Sequence, residues 1–274
     1  AAPIEAQARE IAQVLPMEQG KPIAQAMEET YGTAFFFHET ARLELPRQVL
    51  FDDDARKVVE LRAPLGVVAA IVPWNFPLFM VGFKLPPALL AGNTVVLKPA
   101  PTTPLATLKI ARLIAQIVPP GVVNVITDAN DLGAALAGHR DVAKVSFTGS
   151  TATGRKVFAR AAESMKRLTL ELGGNDAAIV LDDVDAKSVA PALFGAAFAN
   201  SGQVCIAIKR LYVQDGIYDA LCDELAALAE AAVVGDGLEQ GTQFGPVQNR
   251  AQFDKVRALI VESGLQGTII SGGA

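Results

Sequence analysis

Short apolar runs and helix-like stretches alternate along the chain from Gly66 onward. The runs are rich in β-branched residues and cover 66–72, 94–97, 122–127, 145–148 and 177–181, and the helical stretches between them cover 79–91, 104–117, 131–138 and 153–164. Continuous apolar runs are typical of strands that are covered on both faces, and their alternation with helices indicates βαβ units. The pattern therefore predicts an α/β fold with a doubly wound parallel sheet.

The segments on either side of this region predict further elements. Two Ala- and Glu-rich helices come first, then a β-hairpin whose polar turn is Asp52-Asp53-Asp54, and later a helix that Asp185 can cap. The expected helices are 4–15, 22–42, 186–200 and 217–233, the hairpin is 44–62, and further short strands are 168–170, 209–214 and 268–270. We expect one domain from 1–43 with 64–173, an arm at 44–63, and an incomplete second domain at 174–274.

Composition and charge narrow the classes of function. The 274 residues include 24 Lys and Arg against 29 Asp and Glu, a net charge of −5, and no basic run, which excludes a general nucleic-acid binder. A hydrophobic content of 51% excludes disorder. Prolines and Lys84 interrupt the most apolar stretch, so no membrane span is expected. Two cysteines and the lack of a signal-peptide pattern favour a reducing, cytoplasmic location.

Two clusters of polar residues follow predicted strands in the first half. In 73–77, two prolines fix an extended turn, and the Asn75 amide can donate a hydrogen bond at the sheet edge where ligands of α/β proteins bind. The alternative is an Asn that satisfies the turn backbone. In 147–154, glycines and hydroxyls open a helix, which suits a phosphate, although the spacing is not G-x-G-x-x-G. The alternative there is an ordinary helix cap.

Two further clusters carry a carboxylate and a thiol. Glu171 ends a predicted strand beside two glycines, where a semi-buried carboxylate would have a raised pKa and could act as a general base. The alternative is a solvated or salt-bridged Glu. Cys205 follows a glycine-containing turn, and a reactive thiol there needs surroundings that favour its thiolate. The alternative is an inert, small apolar side chain, which is the role expected of Cys222 on an amphipathic helix.

Taken together, these clusters resemble the aldehyde dehydrogenase superfamily, in its NAD(P)-dependent, hydrolytic, non-CoA-acylating branch. The motifs that carry the resemblance are Pro73-Trp74-Asn75-Phe76-Pro77, Lys98-Pro99-Ala100-Pro101, Phe147-Thr148-Gly149-Ser150-Thr151, Glu171-Leu172-Gly173-Gly174, Gly202-Gln203-Val204-Cys205 and the weaker Phe244-Gly245-Pro246. The resemblance covers nearly the whole chain, and it implies a Rossmann-like cofactor domain, the first part of an α/β catalytic domain and a β-hairpin oligomerisation arm. Members are almost twice as long, so a C-terminal part is expected beyond Ala274, and this chain alone is expected to be poorly active.

The resemblance also implies a catalytic role for each of four residues. Cys205 attacks the aldehyde carbon, the resulting thiohemiacetal transfers a hydride to the nicotinamide ring, and a thioester remains. Glu171 then activates water, which releases the carboxylic acid. The Asn75 amide and the backbone N–H of Cys205 stabilise the oxyanion. Lys84, together with Glu171, assists the movement of protons.

The cofactor implied by the resemblance is NAD, with NADP as the alternative, and no metal is expected. The residues that the resemblance assigns to the cofactor are Trp74, Lys98, Gly149, Ser150, Leu172 and Gly173. Lys98 would bind the adenosine ribose, and Ser150 would contact the pyrophosphate. Many NAD-using members carry a carboxylate three residues after the lysine, where this chain has Pro101. Its loss removes repulsion of a 2′-phosphate, but no added Arg is present to bind one, so NAD is preferred.

The implied partner is a small-molecule aldehyde, with no nucleic acid and no membrane, in a homodimer or a homotetramer. The side chains expected to line the aldehyde tunnel are all apolar: Phe76, Phe79, Met80, Phe83, Val204 and Ile206. The arginine that succinic semialdehyde-oxidising members place near Phe83 is missing, so an aliphatic or aromatic aldehyde is favoured. One alternative is a non-catalytic nucleotide-binding protein of the same fold. The other is a thiol hydrolase, which needs a His partner, but His38 and His139 are expected at surface or helix-end positions.

Overall fold

The parallel sheet predicted from the apolar runs is confirmed, and it has five strands. The computed structural model describes residues 1–273, in which the sheet strands are β3 (Val67–Ile71), β4 (Thr94–Lys98), β5 (Val123–Val125), β6 (Val142–Thr148) and β7 (Arg167–Glu171). Their order is β5-β4-β3-β6-β7, and every neighbouring pair is parallel. After β3, the chain adds β4 and β5 on one side of that strand and then adds β6 and β7 on its other side. The direction of strand addition therefore reverses between β3 and β6. In open α/β sheets, such a reversal is where ligands bind.

The chain divides into two compact units. The first contains Ala1–Val14 and Met27–Leu172, and the second contains Leu15–Ala26 and the chain from Gly173 onward. The helices in chain order are α1 (Ala2–Ala6), α2 (Ala8–Ala12), α3 (Val14–Glu18), α4 (Ile23–Ala41), α5 (Pro77–Leu90), α6 (Leu105–Ala115), α7 (Leu132–Gly138), α8 (Thr151–Ala162), α9 (Ala186–Phe198), α10 (Asp215–Glu230) and α11 (Arg250–Gln266). A 3₁₀ turn, Ala199–Gly202, follows α9.

The core of the first unit explains why β3 is apolar at consecutive positions. Ala69 and Ile71 pack in one cluster with residues of α7 and α8, such as Leu136 and Val157. Because successive side chains of a strand point to opposite faces, Val68 and its alternate neighbours face the other side, and they are buried as well. Both faces of the sheet are therefore covered, which is the condition that produces an unbroken apolar strand.

The predicted hairpin is also confirmed. Strands β1 (Gln48–Asp52) and β2 (Lys57–Glu60) pair antiparallel around the acidic turn, whose Asp53 carboxylate accepts the backbone N–H groups of Ala55 and Arg56. All five residues of β1 are exposed, including Phe51. An isolated two-stranded hairpin buries too little surface to be stable by itself.

The second unit has its own small sheet and core. Strands β8 (Asp176–Val180) and β9 (Ile208–Val213) pair in parallel, and α9 and α10 pack against them around Ala190 and Leu221. The predicted cap of α9 is confirmed, since the Asp185 carboxylate accepts the backbone N–H of Ser188 at 2.9 Å. The run at 177–181 therefore forms a strand as expected, but it pairs with β9 rather than with the five-stranded sheet.

Two sequence predictions about the elements are wrong, and one helix was missed. Residues 4–15 form short helices instead of one helix, because the backbone at Gln7 has a ψ of 17° and interrupts the helical path. Residues 268–270 have no strand partner among the described residues and are not a strand. Helix α11 was missed because its apolar residues follow the helical period only weakly, and none of its residues is buried in the structure. Within residues 1–273, no helix has both the length and the apolar character that crossing a bilayer requires.

Candidate active-site residues

The turn between β3 and α5 presents the predicted Trp74 and Asn75. Both side chains are half-buried, in a bend that starts three residues after the end of β3. Pro77 occupies the first position of α5, where a missing N–H costs nothing. Remote capping comes from Glu29, whose Oε1 accepts the backbone N–H groups of Leu78 at 2.8 Å and of Phe79 at 3.2 Å. No pattern in the sequence indicates this cap, since a Glu within a helix is usually solvated.

Lys84 lies in the interior of α5 and is almost fully buried. Its Nζ donates a hydrogen bond to the Oγ of Ser146 on β6 at 3.0 Å. Burial lowers the pKa of Lys84 to about 8, against the opposing effect of the Glu171 charge, and the charge of Lys144 lowers it further. A lysine with a pKa this close to neutrality can release or accept a proton under ordinary conditions, which is the property that proton transfer requires.

Lys98 is the last residue of β4, as predicted, but it has a partner that the sequence reasoning missed. Its Nζ lies 2.7 Å from the Oδ1 of Asp128, and the two side chains are 4% and 0% exposed. Asp128 follows β5, the neighbouring strand, so both residues lie at the carboxyl edge of the sheet. A signal was present in the sequence: an acidic residue stands directly after a strand end, as Glu171 does.

Gly149 and Ser150 connect β6 to α8. A side chain at Gly149 would place its Cβ 2.6 Å from the Phe147 ring, so glycine is the residue that fits without moving that ring. The Oγ of Ser150 accepts the backbone N–H of Thr153 at 3.2 Å and caps the twelve-residue helix α8. Ser150 therefore acts as a helix cap, and its hydroxyl remains exposed at the helix N-terminus. Such a terminus favours an anion.

Glu171, Leu172 and Gly173 follow the neighbouring strand. Glu171 is the last residue of β7, and its backbone carbonyl accepts the N–H of Gly149 at 3.1 Å. Its side chain is exposed, so the expectation of a semi-buried carboxylate is wrong. The physical reason is that β7 is an edge strand of the sheet. Leu172 is half-buried and packs on the core of the first unit, whereas Gly173 is exposed and begins the second unit.

The polar residues at the carboxyl edge of the first unit fit a dinucleotide. Lys98 supplies a cation at the end of β4, and the N-terminus of α8 follows β6, on the other side of the reversal at β3. A cation and a helix N-terminus at this edge are the groups that nucleotide phosphates and ribose hydroxyls require. Within residues 1–273, no three His, Cys, Asp or Glu side chains are grouped to hold a metal ion.

In the second unit, Cys205 lies exposed on a turn with an unusual backbone before it. Asn200, Ser201 and Gly202 have φ values of 50°, 57° and 74°, all in the left-handed region. Two non-glycine residues in succession with this conformation store strain, which persists only where the surroundings fix the backbone. The thiol is free, as is that of Cys222.

Hydrogen bonds from distant segments of the second unit hold this strained turn. The Nε2 of Gln19 donates to the Oδ1 of Asn200 at 2.9 Å, and Asn200 is 1% exposed. The Oγ of Ser201 donates to the carbonyl of Gly245 at 2.8 Å, and the Oε1 of Gln203 accepts the N–H of Gln248 at 2.9 Å. Sequence reasoning missed Gln19 and Gln248 because their partners are remote along the chain.

Lys209 fixes the turn from the other side. Its Nζ donates to the carbonyl oxygens of Val204 at 3.3 Å, Cys205 at 3.0 Å and Ala207 at 2.9 Å. Three carbonyls on one ammonium set the backbone on both sides of Cys205. Lys209 therefore fixes the stretch of backbone that carries the thiol.

The remaining cysteine and the two histidines lie in the non-catalytic positions that the sequence predicts. Cys222 is half-buried on α10 and lines an apolar cavity of about 450 Å³ within the second unit. His38 lies exposed near the end of α4 beside Glu39, and His139 is the exposed residue at the end of α7. Neither histidine lies in the unit that contains Cys205, and the thiol-hydrolase alternative gains no support from them.

The fold and these residues define a class: an α/β protein with a dinucleotide-type sheet and a separate unit that presents an exposed thiol. Comparison with known proteins gives the family. A family model described as "Aldehyde dehydrogenase family" matches residues 1–274. The chain is 46% identical over 258 residues to a probable aldehyde dehydrogenase of Pseudomonas sp., covering 94% of this chain and 53% of that protein. It is 42% identical to the mitochondrial succinate-semialdehyde dehydrogenase of Arabidopsis thaliana, covering 96% and 51%.

A solved structure described as an NADP dependent enzyme of E. coli agrees. It has a TM-score of 0.93 and 38% identity, and the match covers 98% of this chain and 57% of that one. The chain belongs to the aldehyde dehydrogenase family, which confirms the resemblance drawn from its motifs. It spans about half the length of the curated relatives it matches.

Proposed function

We propose that this chain carries the catalytic groups of an NAD(P)-dependent aldehyde dehydrogenase that oxidises an aldehyde to a carboxylic acid. The observation that carries the proposal is the exposed thiol of Cys205, which stands on a strained turn that several hydrogen bonds hold in place. Strain of this kind is typical of sites where one side chain must be presented in a fixed position. Membership of the family supports assigning the attack on the aldehyde to that thiol.

In the first half of the reaction, the Cys205 thiolate attacks the aldehyde carbon and forms a C–S bond. The carbonyl oxygen becomes an oxyanion, which accepts hydrogen bonds from the Asn75 amide and from the backbone N–H of Cys205. A nicotinamide ring bound in this unit would supply the oxidation by accepting the hydride that leaves the tetrahedral carbon. Cys205 is then held as a thioester, with two electrons removed from the former aldehyde.

In the second half, Glu171 takes a proton from water, and the resulting hydroxide attacks the thioester carbon. The C–S bond breaks, the carboxylic acid leaves, and Cys205 is regenerated. Glu171 is exposed at the end of an edge strand, where water can reach it without a rearrangement. We assign proton movement to Lys84 together with Glu171, because the lowered pKa of Lys84 suits this role.

For the cofactor, we propose that residues 1–43 with 64–173 bind the dinucleotide. Lys98 would approach the adenosine ribose, Gly149 and Ser150 the pyrophosphate, and Trp74, Leu172 and Gly173 the rest of the cofactor site. Residues 174–274 would form the first part of the catalytic domain. NAD is the preferred cofactor and NADP the alternative.

For the substrate, we propose an aliphatic or aromatic aldehyde. Phe83 is 51% exposed on α5, and its ring centroid lies 4.1 Å from that of Phe36 on α4. Phe76 and Phe79 extend this aromatic surface, with ring centroids 6.0 Å apart. Aromatic side chains bind apolar groups, but they offer no cation for a distal carboxylate. The alternative substrate is a semialdehyde, because the similar Arabidopsis protein is named a succinate-semialdehyde dehydrogenase.

For assembly, we propose a cytoplasmic homodimer or homotetramer in which the hairpin at 44–63 pairs with another subunit. The hairpin exposes Val49, Leu50 and Phe51 on one strand and Val58 on the other. An exposed apolar hairpin is costly in a monomer and is usually covered by a partner.

The first test is cofactor reduction by this chain, and in parallel by a version extended beyond Ala274, with a panel of aldehydes and either NAD or NADP. Cys205→Ala should abolish reduction, whereas Cys222→Ala, which removes a half-buried thiol, should keep it. Glu171→Gln should release one equivalent of reduced cofactor in a burst and then stall, with an acyl adduct on Cys205 visible by intact mass. Pentanal and benzaldehyde should be oxidised faster than succinic semialdehyde.

The same assay separates the alternatives. If neither version reduces the cofactor but both bind the nucleotide, the result would favour a non-catalytic nucleotide-binding protein of the same fold. Reduction that survives in Cys205→Ala would reject the thioester route.

A further inference from the structure

The buried pair of Lys98 and Asp128 is the starting point. The strand β5 ends at Val125, but the backbone continues alongside β4, because the N–H of Ile126 donates to the carbonyl of Leu97 at 3.0 Å. This continuation carries Asp128 to the end of β4, where its Oδ1 lies 2.7 Å from Lys98 Nζ. Its other oxygen accepts the backbone N–H of Leu132 at 2.9 Å, at the start of α7.

The Asp128 carboxyl is ionised at neutral pH. Burial acts to raise the pKa of the Asp128 carboxyl, but the hydrogen bond from Lys98 and the backbone N–H groups of Leu132 and Asn130 bring that pKa below its usual range. A carboxylate with three such donors stays charged. The Lys98 ammonium at this edge is therefore neutralised by a fixed negative charge.

This neutralisation bears on which dinucleotide the edge accepts. NAD and NADP differ by a 2′-phosphate on the adenosine ribose, and an unopposed lysine beside that ribose would attract the phosphate. Pro101, which stands three residues after Lys98, supplies no carboxylate to oppose the charge of that lysine. Asp128 supplies one from a different strand.

We propose that Asp128 is the positioning residue that makes this edge select a ribose with a free 2′-hydroxyl over one with a 2′-phosphate, through its ion pair with Lys98. The inference rests on the proposed function, in which this edge binds a nicotinamide dinucleotide. Asp128 holds the ammonium in one place and cancels its charge. Selection against the phosphate then arises from electrostatics, because charges that are shielded from solvent interact strongly over a few ångströms.

The test uses nucleotide fragments, so that no turnover is needed. Binding of 5′-ADP and of 2′,5′-ADP to this chain is measured by isothermal titration calorimetry, for the wild type and for Asp128→Asn. Asn keeps an acceptor for the Leu132 N–H and removes the charge. We expect the wild type to bind 5′-ADP more tightly, and the variant to shift the affinity ratio toward 2′,5′-ADP by about tenfold or more, which corresponds to about 1.4 kcal/mol.

Asp131→Asn is the matched control. Asp131 lies in the same connection and loses the same charge, but it is exposed and its side chain makes no cap bond to α7. Solvent and salt screen such a charge, so its variant should keep the affinity ratio within about twofold of the wild type. Should Asp128→Asn fail to fold by circular dichroism, Asp128→Ser removes the same charge from a smaller side chain and should give the same shift.

The double variant Lys98→Met/Asp128→Asn tests whether Asp128 affects selection through the charge of Lys98. With both charges removed, the affinity ratio should return to within about threefold of the wild type. A ratio unchanged in the Asp128 variants, while both fragments still bind, would overturn the role of Asp128 and leave the proposed function standing. Failure of the wild type to bind either fragment would overturn the cofactor site and this inference together.

Discussion

The ammonium of Lys84 donates a hydrogen bond to the hydroxyl of Ser146 across 3.0 Å, and both residues are 8% exposed. This bond ties the interior of α5 to the central part of the sheet through a single charged group. A lysine seldom occupies such a place, because moving its charge out of water is costly. The position is consistent with a residue that is required for chemistry at the expense of stability.

The Lys84 ammonium should make the stability of the first unit rise with pH. Below pH 8 both the folded and the unfolded chain bind the proton, whereas between about 8 and 10.5 only the unfolded chain binds it. The free energy of unfolding of the wild type, relative to Lys84→Met, should therefore rise by up to about 3 kcal/mol across that window. Urea denaturation at several pH values measures this difference.

Lys109→Met is the control for this experiment. Lys109 is exposed on α6, so its loss should leave the pH dependence of stability close to that of the wild type. Equal pH dependence in the wild type and in Lys84→Met would contradict a lowered pKa at Lys84.

The remote cap of α5 by Glu29 predicts a large loss of stability. Glu29→Ala leaves the N–H groups of Leu78 and Phe79 without their carboxylate in a buried place, and should lower the free energy of unfolding by about 2–3 kcal/mol. Glu28→Ala changes the preceding, exposed residue of α4 and should cost less than about 0.5 kcal/mol. Chemical denaturation of the two variants compares these costs, and similar losses would argue against the cap.

The close approach of two backbone segments at Gly245 predicts intolerance of a methyl group. A Cβ at Gly245 would overlap the carbonyl oxygen of Gly20 within the second unit, and a backbone carbonyl cannot rotate aside as a side chain can. Gly245→Ala should therefore cost about 3 kcal/mol or more. Because Ser201 bonds to the carbonyl of Gly245, the same variant should change the rate at which iodoacetamide alkylates Cys205.

Gly195→Ala is the matched substitution. Gly195 lies inside α9, and no neighbouring atom of the described residues comes within 4 Å of the place that an alanine methyl group would take. Alanine should therefore stabilise the helix by up to about 1 kcal/mol. Thermal denaturation of both variants measures these two opposite changes in stability. A Gly245→Ala protein as stable as the wild type would refute the close approach.

Local patterns predicted much of the fold and the candidate chemistry. The five strands, the hairpin and the Asp185 cap all follow from apolar period and turn chemistry, which depend on neighbours along the chain. The motifs around Asn75, Glu171 and Cys205 were visible for the same reason. What such patterns could not give is the exposure of Glu171, since the sequence does not state which strand lies at a sheet edge.

The sequence by itself determined most of the helices and strands and which residues are candidates for chemistry, because both depend on short-range spacing. Only the tertiary structure decided which partners those residues have. Asp128 meets Lys98 because two parallel strands end at one edge, and Gln19 meets Asn200, 181 positions away, because the chain returns on itself in the second unit. Contacts of that kind depend on how the whole chain packs, and no local pattern encodes them.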